Sequence, residues 1–192
     1  SRVTWDVEAA AKGGFEHFML KEIIEQPRAL KATIDPRVKN GRVVLDDFNL
    51  TDEELKNLRK IYITACGSAF YAGQVGKYVI ESLTRIPVET DIASEFRYRD
   101  PIVDEHTLMI VISQSGETAD TIAALREAKE RGAKTLAICN VVGSTIARLA
   151  DTVLYTWAGP EIAVATTKGY TTQVAILDLL AVYLARRLSR ID

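Results

Sequence analysis

"TLMIVISQSGETADTIAALREAKERGAKTLAICN", Thr107 to Asn140, joins two apolar runs through a polar turn and a segment of helical spacing. The runs 107–113 and 134–140 are continuously apolar rather than alternating. That is the pattern of strands buried on both faces, as in a parallel sheet covered by helices. Between them, 117–131 reads as the helix that returns the chain to the same edge of the sheet. Working outward, further strand-like runs fall at 60–66, 87–92 and 151–156, and helical segments at 68–84, 92–98, 144–149 and 167–188. Strand–helix alternation of this kind predicts an α/β fold, a three-layer sandwich of parallel sheet between helices.

Upstream the pattern is looser. Residues 1–14, ending in Gly13-Gly14, read as a linker, and residues 15–59 as an N-terminal helical extension ahead of a regular domain at 60–192. Phe15, Phe18, Met19 and Ile23 fall on one helical face, with Pro27 disturbing the pattern near its end. A short strand is expected at 42–45, followed by a small helix capped by Thr51.

The 192 residues are 47% hydrophobic and 26% charged, enough for one globular core. The net charge of -2 is spread as interspersed acids and bases, as in "REAKERGAK" (126–134), which argues against nucleic acid or an anionic membrane as partner. The longest apolar run, 174–185, is too short to span a bilayer and contains Asp178, so it reads as a buried helix. With no signal-peptide pattern at the start, a soluble cytoplasmic protein is expected. Cys66 and Cys139 read as reduced, core-facing thiols, and with His17 and His106 they show no ligand spacing. No metal and no cofactor is expected.

Two polar loops follow strands: "ACGSAFYAG" (65–73) and "SQSGETADT" (113–121). In an open parallel sheet the ligand sits beyond the carboxyl ends of the strands, where strand order reverses. A helix start presents unpaired N–H groups and a partial positive charge. Gly116 permits a close backbone approach, and Ser113, Ser115 and Thr118 add hydroxyls, which together suit a phosphate without any cation. Glu117 must then turn outward. The competing reading is that Ser115 and Thr118 merely cap the helix. Dinucleotide, P-loop and G-x-S-x-G patterns are absent; Gly76-Lys77 has Tyr71 where a P-loop needs glycine.

With "IASEFRYRDP", "LAICNVVGS" and "EIAVATTKGYTTQ", these loops resemble the first sugar-isomerase (SIS) subdomain of the glutamine–fructose-6-phosphate aminotransferase family, and "HFMLKEIIEQP" resembles its segment joining glutaminase and isomerase domains. The resemblance runs from about Trp5 to Asp192. It implies a five-stranded parallel sheet of flavodoxin-like type that binds fructose 6-phosphate or glucosamine 6-phosphate. It carries substrate contacts onto Ser68, Ser113, Gln114, Ser115, Thr118, Val164 and Thr166. The family reads Cys-Gly-Thr-Ser in the first loop, where this chain has Ser68-Ala69 and loses the second hydroxyl; Thr166 replaces a customary serine.

The resemblance further implies partners in the same polypeptide, a glutaminase domain and a second SIS subdomain supplying the catalytic glutamate, lysine and histidine. This chain is then expected to be a binding fragment, inactive alone and dimeric. No paired carboxylates or histidine near the loops offer a base for aldose–ketose isomerisation. Thr166 and Thr167 are alternatively simple caps of the last helix, Lys168 a solvated surface lysine, and Glu161 a cap or salt-bridge residue. A stand-alone SIS sugar-phosphate sensor and a small phosphosugar isomerase remain as alternative readings.

Overall fold

The computed structural model describes residues 12–192. In chain order, helices α1 (Phe18–Ile24) and α2 (Gln26–Ile34) precede a small antiparallel pair, β1 (Val38–Lys39) with β2 (Arg42–Val43), and α3 (Asp52–Lys56). Then come β3 (Lys60–Ala65), α4 (Ser68–Thr84), β4 (Val88–Ile92), α5 (Ala93–Phe96), β5 (Thr107–Ser113) and α6 (Ala119–Glu130). The last elements are β6 (Lys134–Cys139), α7 (Thr145–Leu149), β7 (Thr152–Tyr155) and α8 (Lys168–Arg187).

The five long strands are all parallel, in the order β4-β3-β5-β6-β7. This is the expected three-layer α/β sandwich. Successive side chains alternate between two cores, which is why the strands read as unbroken apolar runs. Ile61, Ile63, Ile110, Ile112, Leu136 and Ile138 pack towards α4 and α8, while Tyr62, Met109, Val111 and Ala137 pack towards α5, α6 and α7. Each of the buried isoleucines contributes roughly 1.5–3 kcal/mol by leaving water. Gly76 lies inside α4, where an added Cβ would sit 2.8 Å from Leu177 Cδ1 of α8. Its role is close helix packing.

The N-terminal segment departs from expectation. Pro27 stands in the first turn of α2 rather than disturbing one helix, in the position where a missing N–H costs nothing. The apolar face read from the spacing is only partly covered: Phe15 and Phe18 are half-buried, while Met19 and Ile23 are exposed. The buried residue is Glu22, at 2% exposure. Polar contacts, not an apolar stripe, dock this seven-residue helix. The expected strand at 42–45 shortens to Arg42–Val43, and Thr51 caps α3 in a reciprocal arrangement with Glu54. Most of the expected 1–14 linker lies outside the described residues.

Candidate functional site

Strand order reverses between β3 and β5, since the chain steps from β3 to β4 on one side and then to β5 on the other. Beyond the carboxyl ends of these two strands lies a cleft of about 260 Å³. All seven residues singled out in the sequence border it: Ser68 from the first position of α4, Ser113, Gln114, Ser115 and Thr118 from the loop after β5, and Val164 and Thr166 from the segment before α8. Residues nearly a hundred positions apart are brought together because four crossovers return the chain to one end of the sheet.

The β5–α6 loop is held by its own hydroxyls. Ser113 Oγ accepts from the Gly116 N–H (3.0 Å) and lies 2.9 Å from Thr118 Oγ1. Ser115 Oγ accepts from the Glu117 N–H (3.2 Å). Thr118 stands at the N-cap position of α6, yet its side chain makes no cap bond. Ser113 and Thr118 share one proton between their oxygens, so the other hydroxyl proton is available to a ligand. Capping alone would have used these groups differently.

Gly116 meets a demand of the fold as well. Its φ is +68°, and an added Cβ would lie 2.1 Å from Ser144 Oγ. Ser144 belongs to "LAICNVVGS", the loop after β6, which buttresses the cradle from below. The Ile146 N–H donates to Gly116 O (3.0 Å) and the Asn140 N–H to Gln114 O (3.1 Å). Glu117 turns outward as anticipated, its Oε1 accepting from the Thr145 N–H at 2.8 Å. That bonding to Thr145 holds its carboxyl below the ordinary range.

The other helix start is open too. Gly67 precedes α4 with φ +58°, and α4 has neither a side-chain cap nor an acid in its first turn. Two helices of 17 and 12 residues thus aim uncapped N-termini at one cleft. Cys66 differs from expectation: it is only partly buried and borders the cleft, 4.0 Å from Thr121 Oγ1. Cys139 is fully buried, and desolvation pushes its thiol up to about 11.

The third wall is fixed by carboxylates. Glu161 caps α8, accepting from the N–H groups of Thr167 (3.0 Å) and Gly169 (2.9 Å) and from Thr166 Oγ1 (2.6 Å). Thr166 and Thr167 therefore do not cap the helix through their own side chains. Glu22 of α1 accepts from the N–H groups of Ile162 (2.6 Å) and Ala163 (3.2 Å), clasping the backbone beside Val164. Lys168 overturns the surface reading: it is 2% exposed and its Nζ lies 2.6 Å from Glu25 Oε2. A cation in the first turn of a helix is unfavourable unless an anion meets it, and Glu25, 143 positions away, is that anion.

The cleft walls are neutral; none of the residues bordering it carries a formal charge. Neither His17 nor His106 borders it. Among the described residues, no group of three or more His, Cys, Asp or Glu comes together to hold a metal, and no helix is long and apolar enough to cross a membrane. Sequence reasoning also passed over Gln173, which borders the cleft at 3% exposure.

Comparison with known proteins follows the same lines. The sequence pattern of the SIS domain matches residues 54–183. The chain is 62% identical over 187 residues to the glutamine–fructose-6-phosphate aminotransferase (isomerizing) of Clostridium acetobutylicum, covering 97% of this chain and 31% of that protein. It is 66% identical over 180 residues to the enzyme of the same name from Caldanaerobacter subterraneus, covering 93% and 30%. The chain thus spans about a third of the length of these relatives. Among solved structures, the C-terminal domain of glucosamine-fructose-6-phosphate aminotransferase from Francisella tularensis superposes with a TM-score of 0.88 at 40% identity, over 95% of this chain and 51% of that one. Glucosamine-6-phosphate deaminase from Thermotoga maritima shares the fold, with a TM-score of 0.71 at 23% identity over 90% and 52%.

Proposed function

The chain belongs to the SIS domain family, and from that premise we propose that its cleft binds a hexose phosphate, fructose 6-phosphate or glucosamine 6-phosphate. It does so as one part of an isomerising glutamine–fructose-6-phosphate aminotransferase, the name carried by relatives above 60% identity. The observation that carries this reading is the pairing of two uncapped helix starts with Ser113, Ser115 and Thr118 around a cleft that no cation borders. A helix start presents roughly half a positive charge together with unpaired N–H groups; α4 has no acid in its first turn, whereas Asp120 in the first turn of α6 offsets part of that charge. Such a site suits a compact, multiply charged anion with oxygens on every side.

On this reading the phosphate sits over the loop 113–118 and the start of α4, taking O–H donors from Ser115, Thr118 and Ser68. The sugar extends toward Val164 and Thr166. Thr166 gives its only proton to Glu161, so its oxygen is left to accept from a sugar hydroxyl. Val164 is fully exposed, which leaves its backbone as the contacting group. Gln114 borders the cleft between these regions.

Isomerisation needs a base that moves a proton between C1 and C2, and no carboxylate or histidine borders this cleft. The chain by itself is therefore a binder without turnover. The acid–base groups belong to the remaining two thirds of a protein of the relatives' length, which would include a glutaminase domain and a second SIS subdomain. Residues 60–192 form the sugar-phosphate unit, 15–59 its extension, and a cytoplasmic homodimer is the assembly this reading favours.

Titration calorimetry with fructose 6-phosphate and glucosamine 6-phosphate tests the proposal. Binding at up to millimolar ligand, lost in Ser113→Ala/Ser115→Ala and accompanied by no sugar turnover, is the expected result. Heat of binding that survives the double substitution, or turnover by the chain alone, would overturn it.

A further inference from the structure

Two buried side-chain polar atoms among the described residues have no hydrogen-bond partner: Thr167 Oγ1 and Gln173 Oε1. Only Gln173 borders the cleft. Three neighbouring polar residues in the first turns of α8 are engaged. Lys168 meets Glu25, Thr171 meets Gln26 and Thr167 O, and Thr172 bonds back to Lys168 O and Gly169 O. The Gln173 amide, at 3% exposure, makes no hydrogen bond with any described residue.

Packing alone does not ask for glutamine here. Ile176 and Leu177, one turn further on, are fully buried in the core below α4. Leucine or methionine at 173 would continue that stripe. An orphaned buried acceptor such as Gln173 Oε1 costs about 1–3 kcal/mol, and such groups in a native structure call for a specific explanation. The explanation available at this position is a ligand. Gln173 borders the cleft together with Thr166, Ile112 and Ser113.

We propose that Gln173 hydrogen-bonds a hydroxyl of the sugar and so distinguishes a sugar phosphate from phosphate alone; this rests on the sugar-phosphate reading above. The amide has one acceptor and an NH₂ donor, and a turn about its last torsion, which has a broad two-fold profile, brings either to the cleft. A hydroxyl uses both. A phosphate dianion uses only the donor, and the hydroxyl-rich loop on the α6 side already suits it. A sugar hydroxyl in the cleft would give the amide its partner.

The test compares wild type with Gln173→Met by NMR titration against fructose 6-phosphate and against inorganic phosphate, alongside thermal melts. Loss of one hydrogen bond weakens fructose 6-phosphate roughly 5- to 10-fold. Inorganic phosphate should change less than about 2-fold, and Tm should hold or rise because an orphaned polar group is gone. Unchanged fructose 6-phosphate affinity in Gln173→Met overturns the inference while leaving the sugar-phosphate reading intact. A lower Tm with both affinities falling in parallel also overturns it, by assigning Gln173 a packing role. Equal binding by wild type and Ser113→Ala/Ser115→Ala defeats the sugar-phosphate reading itself. Absence of fructose 6-phosphate binding by wild type defeats both.

Discussion

Glu25→Gln and Lys168→Met remove opposite halves of the same buried pair, and the structure assigns them unequal costs. Lys168 is 2% exposed and Glu25 16%, with 2.6 Å between Nζ and Oε2. Removing the acid leaves an ammonium in the interior with only a neutral carbonyl beside it. Breaking a buried pair in this way costs about 3–5 kcal/mol. The lower end, about 3 kcal/mol, applies because glutamine keeps an acceptor and water reaches the rim near Glu25. Removing the lysine is milder. Methionine retains the apolar stem, and Glu25 keeps Arg28 at 2.9 Å and Lys21 at 3.9 Å. That change costs about 1 kcal/mol or less. Urea unfolding monitored by circular dichroism separates the two, and at 2–4 °C per kcal/mol the Glu25→Gln melt falls by about 6–12 °C. The double variant recovers to within about 1 kcal/mol of Lys168→Met, because the uncompensated charge has gone. Equal costs for the two single variants, or a larger cost for Lys168→Met, would refute the reasoning.

Other outcomes follow from the same geometry. Gly116→Ala destabilises by more than about 2 kcal/mol, combining positive-φ strain with the Ser144 clash; Gly116→Ala/Ser144→Gly recovers only the clash, as paired urea midpoints will show. Iodoacetamide modifies Cys66 in the folded chain and spares Cys139, whose thiol is buried and pushed up to about 11; peptide mass mapping reads both, and fructose 6-phosphate slows the Cys66 reaction. The hydrogen bond to Lys134 holds the Glu54 carboxyl down at about 2. A depressed carboxylate contributes its stability above its unfolded value near 4.5 and loses it as pH falls toward 2. The pair is more than a third exposed on both sides, so the effect is small: Glu54→Gln lowers stability slightly at pH 7 and flattens the acid limb between pH 4.5 and 2 in urea midpoints.

The sheet was legible because each central strand is apolar on both faces and alternates with helical segments, a combination that a covered parallel sheet satisfies. Strands at 107–113 and 134–140 needed no knowledge of distant residues. The candidate cleft was legible for a similar reason: Ser113, Ser115 and Thr118, which border it, stand where a strand ends and a helix begins, so their chemistry and their place coincide in sequence. What stayed hidden depended on partners far away in the chain. Nothing near Glu22 announces that Ile162 and Ala163 will donate to it, and nothing near Lys168 announces Glu25. The apolar spacing of α1 suggested a buried face, but a helix of two turns docks through whichever contacts are stronger, and here those are carboxylates on backbone N–H groups. Gly116 was marked for close ligand approach, and the second demand on it was hidden, since Ser144, 28 positions away, occupies the space a side chain would need. Gln173 was passed over because a glutamine without a partner has no sequence signature.

The measurement that bears most directly on the central claim is a crystal structure of this chain grown with fructose 6-phosphate. The account predicts the phosphorus over the 113–118 loop, within hydrogen-bond distance of the Ser115 and Thr118 hydroxyls and the first N–H groups of α4, with the sugar running toward Thr166 and Gln173. Sugar phosphate bound away from the β3–β5 switch point, or held there by a lysine or arginine drawn into the cleft, would contradict it.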